Sequence, residues 1–284
     1  MTDAIDELLH SRGYAPVRAR YGVGGGSISE ASRLVLTDGH ELFCKRHDRA
    51  PADFFAAEAA GLTALRAAGA VRVPEVIAVT DQMLLLEWLS GTPAGDYWSD
   101  LGEQLAQLHH HTAETFGFDA DNYCGLTPQP NPRLGDGVHF FAAARLGHQT
   151  RLARDAGLLD SADRRQLERV ADRLGDWIPP QPPSLIHGDL WRGNVHCGPS
   201  GEPVLVDPAT HYGWAEAELA MTTLFGGFPQ AFYDAYMAAS GCRNDWATRA
   251  DLYNLYHLLN HLNLFGGGYL SGVRAVLDRY VDRR

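Results

Sequence analysis

The stretch His187-Gly188-Asp189-Leu190-Trp191-Arg192-Gly193-Asn194 decides how the rest of the 284-residue chain is read. It sets a carboxylate five residues ahead of an amide, in a polar loop between two short apolar segments, Ser184 to His187 and Val204 to Asp207. Loops rich in Asp and Asn are often plain turns closed by local hydrogen bonds. Here a second carboxylate, Asp207, follows Asn194 by thirteen positions, after Val204-Leu205-Val206 and before Pro208. A base plus two oxygen ligands for a hard divalent cation is the set that phosphoryl transfer calls for. Asp189 is accordingly read as the base, and Asn194 and Asp207 as Mg²⁺ ligands.

Upstream residues extend the pattern in a fixed order. Asp38-Gly39 lies between the apolar runs Arg33 to Leu36 and Leu42 to Lys45, a hairpin signal. Lys45 thus ends a strand, where its ammonium can meet nucleotide phosphates. Glu58 lies thirteen residues on, in a predicted helix, and can pair with Lys45. The preceding loop, Gly24-Gly25-Gly26-Ser27-Ile28-Ser29, is glycine-rich but departs from G-x-G-x-x-G, with Ser29 in the last place. Gly24, Gly25, Gly26 and Ser27 are candidates to bring backbone N–H groups to phosphates. Met83 to Leu89 reads as a strand feeding a hinge, so the Glu87 carbonyl and the Leu89 amide are candidate adenine contacts. The spacing of His187 to Asn194 is that of the kinase loop H-R-D-L-x-x-x-N, with Gly188 in place of Arg.

The remaining patterning predicts a fold. Residues 1–14 read as a short helix. Asp53 is expected to cap a helix from about Phe54 to Ala68 that stops near Gly69, and Val76 to Val79 reads as a strand. The first 88 or so residues therefore read β-β-α-β-β. Ser90 to Gly95 is a turn-rich connector, and helical periodicity dominates afterwards: Leu101, Leu105 and Leu108 share a face, and Leu152 to Trp177 reads as one or two amphipathic helices. The expected class is α+β, a two-lobed protein-kinase-like fold. Residues 1–89 form a small antiparallel nucleotide-binding lobe; residues 90–284 form the hinge and a larger helical lobe that carries catalysis and substrate binding.

Composition removes other classes. The chain has 24 Lys+Arg against 35 Asp+Glu, a net charge of −11, which argues against nucleic-acid binding and against an anionic membrane surface. The acidic, amphipathic start does not resemble a signal peptide, and the apolar run Met83 to Leu89 is interrupted by Glu87 and far too short to span a bilayer. Cys44, Cys124, Cys197 and Cys242 are scattered, with no C-x-x-C pair, as expected of a cytoplasmic protein.

Taken together, these segments resemble the fructosamine/ketosamine 3-kinases. The resemblance rests on Gly24 to Glu30, Leu42 to Lys45 and Phe54 to Glu58, then on Asp121-Asn122-Tyr123-Cys124-Gly125 with Pro128-Gln129-Pro130-Asn131. It continues through His187 to Asn194, Val206 to Ala209 and Glu218 to Phe228. It implies an ATP- and Mg²⁺-dependent transferase that phosphorylates the 3-hydroxyl of a ketoamine sugar, fructosamine or ribulosamine, in deglycation repair. It also implies that Trp191 stacks on the sugar, and that the protein acts on a small-molecule ketoamine or glycated amine as a monomer or weak homodimer. Two departures stand out. Ser27 replaces a cysteine that links the family's glycine loop to redox switching, so no such switch is expected there. Trp214 and Ala215 replace an Asp-Arg pair, which leaves the roles of Glu216 and Glu218 open. Rival readings are a same-fold phosphotransferase acting on an aminoglycoside, choline or another sugar, and a nucleotide-binding module without catalysis.

Two histidine groups are set apart. His109-His110-His111 ends a helix, where neighbours point in different directions. One is expected to pack and two to be solvated. His257 and His261 are spaced i, i+4, but no third ligand is evident, so a core or pocket-wall position is expected rather than a metal site.

Overall fold

Residues 4–24, 29–241 and 245–281 are described by the computed structural model. Gly25, Gly26 and Ser27 of the glycine-rich loop, and Cys242, lie outside the described residues. Helix α1 (Ala4–Ser11) and strand β1 (Val17–Gly22) lead into the hairpin of β2 (Glu30–Leu36) and β3 (Glu41–Arg46). The predicted turn closes it: the Asp38 carboxylate accepts from the His40 amide at 3.0 Å, and the Leu36 amide donates to the His40 carbonyl at 2.8 Å. Helix α2 (Phe54–Ala68) follows, then β4 (Val76–Thr80) and β5 (Met83–Glu87). The five strands form one antiparallel sheet in the order β1-β2-β3-β5-β4.

Lys45 sits on a central strand, paired with Ala31 on one side and Leu84 on the other. Strand residues alternate between faces. Leu42 and Cys44 enter a cluster with Ile5, Leu9, Leu34 and Leu85, whereas Phe43 faces the cluster built by α2. Lys45 shares the Phe43 face and so projects toward α2.

Beyond the connector come α3 (Tyr97–His109) and a hairpin of β6 (Asn122–Cys124) and β7 (Thr127–Gln129). Next, α4 (Gly137–Phe140) runs through a π-helical segment, Phe141–Gly147, into α5 (His148–Asp155), followed by α6 (Ser161–Asp172) and α7 (Leu174–Trp177). Strands β8 (Ser184–Ile186), β9 (Val195–Cys197), β10 (Pro203–Leu205) and β11 (His211–Gly213) form two ribbons, β8 with β11 and β9 with β10. Helices α8 (Ala215–Leu224), α9 (Gln230–Ser240), α10 (Ala250–Phe265) and α11 (Leu270–Val281) complete the chain. The α+β architecture is the one expected. No helix among the described residues is long and apolar enough to cross a membrane.

The ribbon pairing positions the site. Residues 187–194 run from β8 to β9, and Asp207 lies on the return from β10 to β11. Both segments cross between the same two ribbons, so they lie side by side. A buried cluster that joins Phe55, Leu62 and Leu65 of α2 and Leu84 of β5 to Leu101, Leu105, Leu185, Leu205 and Phe232 sets the sheet against these ribbons. Each such side chain contributes about 1.5–3 kcal/mol by leaving water.

Some local expectations are corrected. The first part has five strands, not four: Val17, Ala19 and Tyr21 alternate with arginines, and this strand pairs with β2. Asp53 does not cap α2 through its side chain; its carboxylate instead accepts the Tyr123 hydroxyl at 2.6 Å. Strand β5 ends at Glu87, two residues before the expected limit, and the helical stretch expected from Leu152 starts at His148.

Candidate active site

Lys45 reaches from β3 to Glu58 on α2. Its ammonium donates to both Glu58 oxygens, at 2.8 and 2.9 Å, and to Asp207 at 2.6 Å. Burial alone would lower the Lys45 pKa, but the charges of Asp207 and Glu58 outweigh it and raise it, so the side chain stays an ammonium. Residues 45, 58 and 207 are far apart in sequence and meet here at hydrogen-bond distance.

Asp207 is the one non-glycine among the described residues with a left-handed backbone, φ 58°. Such a conformation costs a residue with a Cβ about 1–2 kcal/mol. It is held from both sides. The Val206 amide donates to the Asn194 carbonyl at 3.1 Å, and His187 Nε2 donates to the Val206 carbonyl at 2.8 Å. The Ala209 amide donates to the His187 carbonyl at 2.9 Å.

Asn194 donates through Nδ2 to the Asp189 carbonyl at 2.9 Å and lies 3.4 Å from its carboxylate. Burial, and then the nearby Asp207 charge, push the Asp189 carboxyl up to about 7. Asp189, Asn194, Asp207 and Lys45 therefore come together in one place. Its donors are carboxylate and amide oxygens, the type that suits Mg²⁺. The two mutually repelling carboxylates supply charge that a cation would offset.

Gly188 explains the departure from H-R-D. Its φ is +85°, and a Cβ there would lie 2.2 Å from the Ala209 carbonyl oxygen. Gly193 also has a packing reason: a Cβ on it would lie 2.2 Å from the Trp191 ring. The indole therefore rests on that backbone, beside Phe225, with 37% of the residue exposed.

Glu87, at the end of β5, uses its carboxylate to accept from Arg72 at 2.6 Å, and its amide donates to the Glu75 carbonyl. Leu89 is half-buried just beyond. Gly24 is described, and among the described residues nothing lies within 4 Å of a Cβ placed on it.

Several residues hold the site in roles the sequence left open. Glu218 has a fully buried side chain and accepts three N–H bonds: the amides of His187 at 3.0 Å and Gly188 at 2.7 Å, and His109 Nε2 at 3.0 Å. Burial favours its neutral form, but these bonds outweigh that and lower its pKa. His109 is thus the packed member of its triplet, and His110 and His111 are exposed. Glu216 accepts from both Arg249 nitrogens, at 2.6 and 2.5 Å, and from the Tyr253 hydroxyl. The roles left open for these two glutamates are thus anchors, for the 187–194 loop and for α10.

His257 is buried, and its Nδ1, 3.9 Å from an Asp189 oxygen, has no hydrogen-bond partner among the described residues. Burial pushes its pKa down to about 3, so it is neutral. Cys124, Asp189 and His257 place ligand-type atoms within 4.8 Å of one another. Behind them, Asn122, Gln129 and Asn131 of the β6–β7 region are knitted to Arg145 and Tyr256 by buried hydrogen bonds. The i, i+4 spacing of His257 and His261 and the segments Asp121 to Gly125 and Pro128 to Asn131 were the sequence signals for this wall.

Comparison with known proteins gives a consistent picture. A family model described as fructosamine kinase matches residues 1–283. A Synechocystis sp. protein named "probable ketoamine kinase" is 43% identical, over 93% of this chain and 90% of its own length. A chloroplastic protein-ribulosamine 3-kinase of Arabidopsis thaliana is 35% identical, over 98% of this chain and 88% of its own. Among solved structures, a Thermobifida fusca protein given the name fructosamine-3-kinase superposes with a TM-score of 0.89 at 34% identity, covering 100% of both chains. APH(2")-IIa, solved in a complex with gentamicin, superposes with a TM-score of 0.64 at 12% identity, covering 99% of this chain and 97% of its own, which shows a shared fold alone.

Proposed function

On the premise that the chain belongs to the fructosamine kinase family, where the match spans residues 1–283, we propose how its cleft carries out the reaction of that family. The chain is an ATP-dependent kinase of ketoamines. The observation that carries the mechanism is the meeting of Lys45, Glu58 and Asp207 at 2.6 to 2.9 Å beside the Asp189–Asn194 loop.

In this reading the nucleotide lies between the lobes, residues 1–89 and 90–284. Lys45, fixed by Glu58, contacts its phosphates, as do the backbone amides of Gly24, Gly25, Gly26 and Ser27. The Glu87 carbonyl and Leu89 amide meet the adenine edge. Asp207 and the Asn194 side-chain amide oxygen would hold Mg²⁺, which when bound would offset phosphate charge. Asp189 accepts the proton of the substrate 3-hydroxyl as that oxygen bonds to the γ-phosphorus and ADP leaves. Its raised pKa suits a base working near neutrality. Trp191 offers a ring face to the sugar. The setting is cytoplasmic, and the working form a monomer or weak homodimer.

The test is a panel of acceptors with ATP and Mg²⁺: synthetic fructosamine and ribulosamine adducts, an aminoglycoside and choline, with ADP release measured. Turnover of the ketoamines alone, abolished by EDTA, is expected. Phosphorylation of the aminoglycoside or choline without any ketoamine turnover would overturn the substrate assignment. Nucleotide binding without transfer to any acceptor would overturn catalysis itself.

A further inference from the structure

Helix α10 presents His257, His261 and Phe265 at i, i+4 and i+8, which places them on one face over about 12 Å of helix. The row starts at the catalytic carboxylate, with His257 Nδ1 3.9 Å from Asp189. It also opens outward: His257 is buried, His261 half-buried, and Phe265 is 50% exposed. Other rings join it. Trp191 lies 6.0 Å from Phe225, and Phe225 lies 4.8 Å from His261. His261 is 5.4 Å from Phe265 and 5.1 Å from Tyr269. A continuous ribbon of rings thus runs from the catalytic loop to the surface.

Trp191 and Phe265, two of the three large hydrophobic residues exposed among the described residues, stand at the two ends of this row, with half-buried rings between them, and such a placement calls for an explanation. The occupant follows from the reaction. A ketoamine has two parts, a sugar and an amine-bearing arm. With the reacting hydroxyl at Asp189 and the sugar against Trp191, the arm must leave the cleft. The nucleotide side is taken by Lys45 and the sheet. The ribbon is the surface that continues from Trp191, and burial disfavours the charged form of both its histidines. Ring faces attract ammonium groups and cover hydrocarbon.

Building on the reading of function above, we infer that Phe225, His261, Phe265 and Tyr269 form a subsite for the amine-bearing arm of the substrate, selecting adducts whose arm is long and apolar beyond a protonated nitrogen. A lysine side chain carrying the sugar has this chemistry. A short hydrophilic arm would leave the outer rings uncovered.

Two probes separate the arm from the sugar: the fructosamine adducts of methylamine and of n-hexylamine, which share sugar and charge. Partial cover of five added methylenes predicts kcat/KM about tenfold higher for the hexyl adduct. Phe265→Ala, at an exposed position that leaves folding intact, should cut that ratio to about threefold or less while the methyl adduct keeps its wild-type kcat/KM. Equal kcat/KM for the two adducts in the unaltered protein would overturn the inference, as would a Phe265→Ala protein that loses activity equally toward both. If the unaltered protein turned over neither adduct, the functional reading would fall, and this inference with it.

Discussion

Placing a side chain at Gly188, where H-R-D loops carry arginine, tests why this loop has its sequence. In Gly188→Ala the new Cβ would start 2.2 Å from the Ala209 carbonyl oxygen and 3.2 Å from His211 Nδ1. Ordinary contact needs about 3.4 Å or more, so the two strands of backbone must part by about 1 Å. The left-handed φ of +85° adds about 1–2 kcal/mol for a residue with a Cβ. Overpacking against backbone adds about 1–3 kcal/mol more. The total is a loss of about 3 kcal/mol. The displaced segment carries Asp189 at its next residue and Asp207 across the contact, and a shift of about 1 Å in catalytic groups can cost about 10²-fold in rate. Gly39→Ala is the control. Its φ is +93° but nothing lies within 4 Å of the added Cβ, so it should cost about 1 kcal/mol and leave kcat unchanged. Chemical denaturation gives the stabilities, and ADP release with a synthetic fructosamine gives kcat. A Gly188→Ala protein within about 0.5 kcal/mol of wild type and with full kcat would refute the close-approach argument.

Two further outcomes follow from the buried groups. Glu218→Gln keeps the shape but turns an amide NH₂ toward N–H donors, leaving at least one unpaired. Stability should drop by about 2–3 kcal/mol and kcat should fall at least about tenfold, and a variant unchanged in both would remove Glu218 as the anchor of the loop. For His257, the folded pKa of about 3 lies below the unfolded value of about 6.5. The unfolded chain therefore takes up the proton first, so this group's contribution is full above about pH 6.5 and is lost as pH falls toward 3. Between pH 6.5 and 5 the wild type should lose stability faster than His257→Asn by up to about 1.4 kcal/mol per pH unit. Parallel pH–stability curves for the two proteins would show that His257 is not held neutral.

That these residues meet was legible because they sit in short, ordered motifs. Lys45, Glu58, Asp189, Asn194 and Asp207 each have a neighbourhood that announces them: a D-G hairpin, a helix thirteen residues on, and a loop with fixed spacing. His257 was not legible as a neighbour of Asp189, since the contact joins α10 to a loop 68 residues earlier and depends on how the helices pack. Glu218 was visible as a residue but not as an anchor, because its partners are backbone amides that any sequence could supply. Asp53 shows the opposite failure. Its position favours a cap, yet a tyrosine from the β6–β7 hairpin captures its carboxylate, a tertiary contact overriding a local preference. Strand β1 was missed because its exposed arginines hide the alternation.

The central claim, that Asp189 takes the substrate proton in a cleft where other residues hold ATP, is tested most directly by Asp189→Asn. ATP affinity by calorimetry and kcat with a synthetic fructosamine should be measured on the same preparation. ATP binding close to wild type with kcat reduced by about 10²–10⁴ is the predicted result. Near-normal turnover in Asp189→Asn would contradict it.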